Sequence, residues 1–80
     1  MNQKIEIFYT GSGITIAETD IEKNQYAVVS SEAPEYLTIY SDCNEKDYLP
    51  ENMVGSFSVD EIPQKYKVLY AKMLEELKAV

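Results

Sequence analysis

Eighty residues hold fourteen aspartates and glutamates against seven lysines, with no histidine and no arginine, giving a formal net charge of -7 and a pI near 4.4. The acidic balance excludes charge-driven binding to nucleic acid or to anionic membranes and points to basic partners, among them proteins that themselves bind nucleic acid. Without imidazole or guanidinium the chain lacks the usual proton shuttle near neutral pH, the commonest metal ligand and the planar fork that grips phosphate.

The length predicts one small domain over 1–80, in which about 60 per cent of the unfolded chain's surface is buried and a deep cofactor cavity has no room. A hydrophobic content of 45% with 26% charged residues is that of a folding chain rather than a disordered one. Cys43 is alone, so neither an internal disulfide nor a Cys/His zinc set can form, and a reducing compartment is expected. The first apolar run is interrupted by Glu6 and is too short for a signal peptide or a membrane span. The cytoplasm is the expected location.

Residues 4–9 alternate, with Ile5, Ile7 and Tyr9 on one face and Lys4, Glu6 and Phe8 on the other, the period of a half-buried strand. Thr10-Gly11-Ser12-Gly13 follows as a turn, and Ile14 and Ile16 alternate with Thr15 and Ala17 in a second strand ending at Glu18. The two strands read as a hairpin. Residues 19–24 are charged and turn-like; residues 25–30 form a third strand on Tyr26, Val28 and Val29. Pro34 punctuates the next turn. Residues 36–40 form a fourth strand, Leu37 and Ile39 opposing Tyr36, Thr38 and Tyr40.

Residues 41–51 form a solvated acidic loop, after which Met53, Val54 and Phe57 around Gly55 make a short fifth strand or an extended segment. Ser58-Val59-Asp60-Glu61 has the spacing of a capping box, and Pro63 suits the first turn of a helix. A single turn over 58–62 therefore runs into a helix over about 63–79. Ile62, Tyr66, Leu69, Tyr70, Met73 and Leu77 make one apolar stripe with Leu74 beside it, while Lys65, Lys67, Lys72 and Lys78 project to solvent. The predicted fold is α+β: a four- or five-stranded antiparallel meander with one C-terminal helix packed on the face of Ile5, Ile7, Ile14, Ile16, Leu37 and Ile39.

Each catalytic motif meets a structural reading that explains it better. Gly11-Ser12-Gly13 does not cradle a phosphate, because a dinucleotide fingerprint needs glycine where Ile16 stands, and a phosphate loop needs Gly-Lys-Ser/Thr where the chain has Gly13-Ile14-Thr15. Asp42, Asn44 and Asp47 miss the calcium-loop pattern, with Lys46 at a ligand position, Asp47 for the glycine and Met53 for the bidentate glutamate. Cys43 sits between Asp42 and Glu45, which oppose thiolate formation. Carboxylate pairs such as Glu32 with Glu35, or Asp60 with Glu61, would need a cleft that one sheet and one helix do not supply. No enzyme activity, cofactor or metal is expected.

The seven tyrosines are the positive signal, because tyrosine buries a large apolar body while keeping a polar tip, the combination that interfaces favour. Strand propensity explains the same residues without any partner. The face opposite the helix, with Phe8, Tyr36 and Tyr40, is the candidate contact surface.

The stretch Gly13-Ile14-Thr15-Ile16-Ala17-Glu18, with Tyr26-Ala27-Val28-Val29-Ser30-Ser31-Glu32, Pro34-Glu35 and Leu49-Pro50-Glu51, resembles small acidic domains of phages and conjugative elements of Gram-positive bacteria, some associated with large polyvalent proteins. The resemblance implies a mobile-element setting, in which compact proteins often bind and block a host protein. Two functions follow as expectations. One is a non-catalytic protein-binding module, docking on another protein or on its own copy as a homodimer, through tyrosine-bearing strands or an open sheet edge. The other is a nucleic-acid-mimicking inhibitor of anti-restriction or anti-CRISPR type. It would present Glu18, Asp20, Glu22, Glu32, Glu35, Asp42, Glu45, Asp47 and Glu51 to a basic groove. Neither binds nucleic acid directly or inserts in a membrane.

Overall fold

Alternating apolar residues give five strands, β1 (Ile5–Tyr9), β2 (Thr15–Glu22), β3 (Gln25–Ser30), β4 (Ala33–Ser41) and β5 (Met53–Ser58), followed by one helix, α1 (Gln64–Lys78). The computed structural model describes residues 4–22, 24–41 and 50–79. The strands form one antiparallel sheet in the order β1-β2-β3-β4-β5, each paired with its neighbours in sequence. The architecture is the expected α+β meander with a C-terminal helix against it, and the fifth strand is a full member of the sheet.

The β1–β2 connection is a hairpin turn. Gly13 takes φ 83, a conformation that costs glycine little, and the Thr10 and Ile14 backbones close the turn with an N–H to O bond of 2.8 Å. The Thr10 hydroxyl oxygen accepts a further bond from the Ile14 N–H at 3.3 Å. At the opposite end of the sheet, β2 runs four residues further than Glu18. Its last pairs join Asp20 to Tyr26 and Glu22 to Gln25 around a bulge, and Asn24 makes the turn at φ 61. The expectation of a turn over 19–24 is thus corrected. Thr19 and Ile21 are buried, and that burial carries the strand through its charged residues.

Pairing also reassigns one face. Ile7 lies opposite Ala17 and Phe8 opposite Ile16, so Ile16 shares the face of Phe8, away from the helix, and Ile14 precedes the strand. β2 turns Ala17, Thr19 and Ile21 inward, all buried, with the Thr19 hydroxyl donating to the Lys4 carbonyl at 3.0 Å. The hydrophobic core joins Ala17 and Ile21 to Ala27, Val29, Leu37 and Ile39 of the sheet and to Ile62, Leu69, Tyr70 and Met73, with Ile5, Ile7, Phe57, Tyr66, Leu74 and Leu77 packed around it. The predicted helix stripe and the Ile5, Ile7, Leu37 and Ile39 face therefore meet as expected.

Pro34 lies inside β4 rather than in a turn. It falls where the β3 register shifts between Val28 and Ser30 and before the β5 pairing begins at Tyr36, so its missing N–H leaves no ladder bond unmade. The capping box is likewise corrected. The Ser58 hydroxyl donates to the Glu61 carboxylate at 3.0 Å, Pro63 occupies the N-cap, and no side chain caps α1. Lys65 and Lys67 stand near the positive end of the helix dipole, a placement unfavourable by about 0.3–1 kcal/mol each. Packing of the apolar stripe, not local electrostatics, is what holds α1. The acidic loop expected over 41–51 is corrected at both ends, since Ser41 closes β4 and residues 50–52 form a 3₁₀ turn leading into β5; residues 42–49 lie outside the described residues.

Candidate functional site

Antiparallel pairing with period 2 divides the candidate residues between two faces. The face away from α1 has a central row of Glu6, Glu18, Val28, Thr38 and Ser56. Phe8 and Ile16 stand to one side of that row, and Asp20, Tyr26, Tyr40 and Met53 to the other; Tyr36 lies on the same face opposite Ser58. Phe8, Tyr36 and Tyr40 thus share a face as predicted, with β2 and β3 between Phe8 and the two tyrosines.

Val28 and Glu18 are buried on this face even though it is the one opposite the helix. Glu18 stands directly across from Glu6, and its Oε2 makes no hydrogen bond, while Glu6, Glu18, Phe8 and Tyr40 each take part in other interactions. The Thr38 and Ser56 hydroxyls meet at 3.3 Å across β4 and β5.

The acidic candidates do not form one continuous surface. Glu32 is exposed in the β3–β4 turn and Glu35 near the start of β4, Asp20 and Glu22 lie at the opposite end of the strands, Glu18 is buried, and Glu51 is exposed in the 3₁₀ turn before β5. Asp42, Glu45 and Asp47, together with Cys43, lie outside the described residues. Among the described residues no three His, Cys, Asp or Glu side chains gather in a way that would hold a metal ion.

The structure draws attention to the β5 edge instead. As the last strand of the order, β5 has a neighbour only on its β4 side among the described residues, and β1 is the other edge. The two edges differ in chemistry. β1 has Glu6 within it and Lys4 just before it, whereas the run Met53-Val54-Gly55-Ser56-Phe57-Ser58 is uncharged. Charges on an edge discourage pairing with a further strand, so β5 is the less protected of the two. Three exposed large apolar side chains also gather there, Met53, Val54 and Val59, each 44 to 59% exposed. Val59 extends the pairing one step beyond the strand, its N–H donating to the Glu35 carbonyl at 2.9 Å.

Beside this edge runs a groove. α1 lies against β1, β2 and β3, and its N-terminal end leaves an open space of about 320 Å³ above the β4–β5 half of the sheet. Ile39, Val54, Phe57, Pro63 and Tyr66 supply its apolar walls, and Glu22, Gln25 and Lys65 its polar ones. Phe57 lies over Gly55: a Cβ at position 55 would stand 3.0 Å from the ring's Cζ, so the absence of a side chain there lets the ring lie along its own strand. The Lys65 ammonium sits 4.9 Å from the centre of the Tyr66 ring, a cation–π contact. The sequence signal for this region was an uncharged apolar run as the final strand of a meander, which topology makes an edge; the groove had no such signal, because it depends on where the helix crosses the sheet.

At the other end of the helix-facing side, the Tyr70 hydroxyl donates to the Pro34 carbonyl at 2.5 Å. Burial, and secondarily the charge of Glu35, push the Tyr70 pKa up from its ordinary 10.0. The phenol is therefore a protonated structural donor at neutral pH. Among the described residues no helix is long and apolar enough to cross a membrane. The class defined by this geometry is an open five-stranded antiparallel meander with one packed helix. No protein-family model, no curated protein and no solved structure matches the chain.

Proposed function

We propose that this domain is a non-catalytic protein-binding module that works by accepting an extended strand at the β5 edge. The observation that carries the reading is the coincidence of an uncharged edge strand with exposed Met53, Val54 and Val59 and with an adjoining groove. An added strand would gain main-chain hydrogen bonds from the edge, and its alternate side chains would fall toward Phe57 and Tyr66. Within this proposal the partner belongs to a Gram-positive bacterial host cell, as the resemblance to domains of phages and conjugative elements implies. Nucleic-acid mimicry draws less support, because the described carboxylates are spread over both ends of the sheet and Glu18 is buried, whereas a mimic needs a continuous anionic stripe.

Capture from a host extract tests the reading, using the intact chain beside Val54→Lys and a Tyr36→Ala, Tyr40→Ala double variant. Val54 is exposed, so lysine there leaves the core intact and charges the edge. A protein retained by the parent chain and by the tyrosine variant, but lost with Val54→Lys, is the expected result. A protein lost only with the tyrosine variant would move the binding surface to the face away from α1.

A further inference from the structure

The chemistry around β5 narrows what strand it accepts. The strand itself is uncharged, but both of its ends are acidic: Glu51 stands just before it, and Asp60 and Glu61 follow it, all three exposed. Exposed Glu35 adjoins the second end, since its carbonyl accepts the Val59 N–H, and Glu22 lines the groove that Val54 also lines. From this pattern we infer that the β5 edge takes an extended segment of another protein whose apolar middle is flanked at both ends by lysine or arginine. The inference rests on the strand-addition reading above and adds the chemistry of the incoming strand.

The same charges argue against a second copy as occupant. Two antiparallel β5 strands centred between Gly55 and Ser56 would gather the acidic flanks of both copies, Glu51 of one beside Asp60 and Glu61 of the other, at each end of the pair. Like charges brought together repel, and each copy already carries a net charge of -7. A basic-flanked segment turns both contacts from repulsive to attractive and is steered to the edge by the same field. Its apolar middle meets Val54 and Phe57, while Lys65, held over the Tyr66 ring, stays on the helix side of the groove.

Titration of the intact isotope-labelled chain, followed by the amide signals of residues 53–58, tests the inference. The probes are three synthetic peptides sharing an alternating Thr-Val core, flanked on both sides by paired lysines, paired serines or paired glutamates. The lysine-flanked peptide is expected to shift the β5 amides and to bind about tenfold more tightly than the serine-flanked one. Raised salt should shrink that advantage, and the glutamate-flanked peptide should bind most weakly. Combined Glu51→Gln, Asp60→Asn and Glu61→Gln, at three exposed positions, should level the three affinities in a folded protein. Equal affinities of the three peptides at β5 in the parent chain would overturn the charge preference and leave strand addition standing. Shifts confined to the face of Phe8 and Tyr40, or none at β5 with any peptide, would overturn both. A β5-paired dimer in sedimentation without peptide would assign the edge to a second copy and overturn the inference.

Discussion

The Tyr70 hydroxyl and the Pro34 carbonyl, 36 residues apart in sequence, are joined by a 2.5 Å hydrogen bond that ties the middle of α1 to the start of β4. Tyr70 is 7% exposed, so its ring contributes to the core while its oxygen reaches a carbonyl at the sheet's margin. Removing the hydroxyl alone, as in Tyr70→Phe, keeps the ring and leaves the carbonyl without this donor. The expected loss is about 1 kcal/mol of unfolding free energy at neutral pH, measured by urea denaturation. No change in midpoint would mean that water replaces the hydroxyl at no cost.

The same residue gives the domain an alkaline limit. Burial first, and Glu35 second, raise its folded pKa above the ordinary 10.0, so the folded state binds more protons than the unfolded state in that range. Stability from this group is complete below about pH 10 and is lost as pH rises through the folded pKa. The thermal midpoint of the parent chain should therefore fall more steeply above about pH 10 than that of Tyr70→Phe. Parallel curves for the two proteins would show that Tyr70 is not the group responsible.

The hairpin turn separates two glycines that look alike in sequence. A Cβ at either Gly11 or Gly13 would meet nothing within 4 Å, but only Gly13 has a positive φ, at 83. Gly13→Ala should cost about 1 kcal/mol from backbone strain, and Gly11→Ala should stay within about 0.5 kcal/mol of the parent. Chemical denaturation of the two single variants checks the contrast.

Gly55 tests the floor of the groove. Alanine there places a methyl 3.0 Å from the Phe57 Cζ, and the ring must swing away from its strand to accommodate it. The expected cost is about 1 kcal/mol, with altered aromatic signals of Phe57 and of its neighbour across the groove, Tyr66. Unchanged ring signals would place Phe57 elsewhere than over Gly55.

Local pattern made much of this molecule readable. The alternation in residues 5–9 and 36–40, the β-prone Tyr26, Val28 and Val29 in residues 25–30, and the three-and-four spacing from Ile62 to Leu77 each name a strand or a helix face without reference to anything distant. Where the reading failed, the deciding force was tertiary. In β2 the bulky Ile16 and the small Ala17 compete for the inner face, and the alternation fits either choice, because a one-residue slip exchanges the faces. Pairing of Ile7 with Ala17 resolves it, setting a small side chain beneath the helix. Thr19 to Glu22 look like a turn on composition and Pro34 looks like a break, yet burial of Thr19 and Ile21 extends one strand, and a register shift admits the proline into another.

Composition alone determined that this chain is acidic, lacks imidazole and guanidinium, and has apolar residues enough for one sheet and one helix. Only the tertiary structure decided which strand is the unprotected edge and where the groove opens. The first depends on Met53–Ser58 pairing fully with β4 and the second on α1 crossing β1 to β3, contacts between residues far apart in the chain that no local spacing encodes.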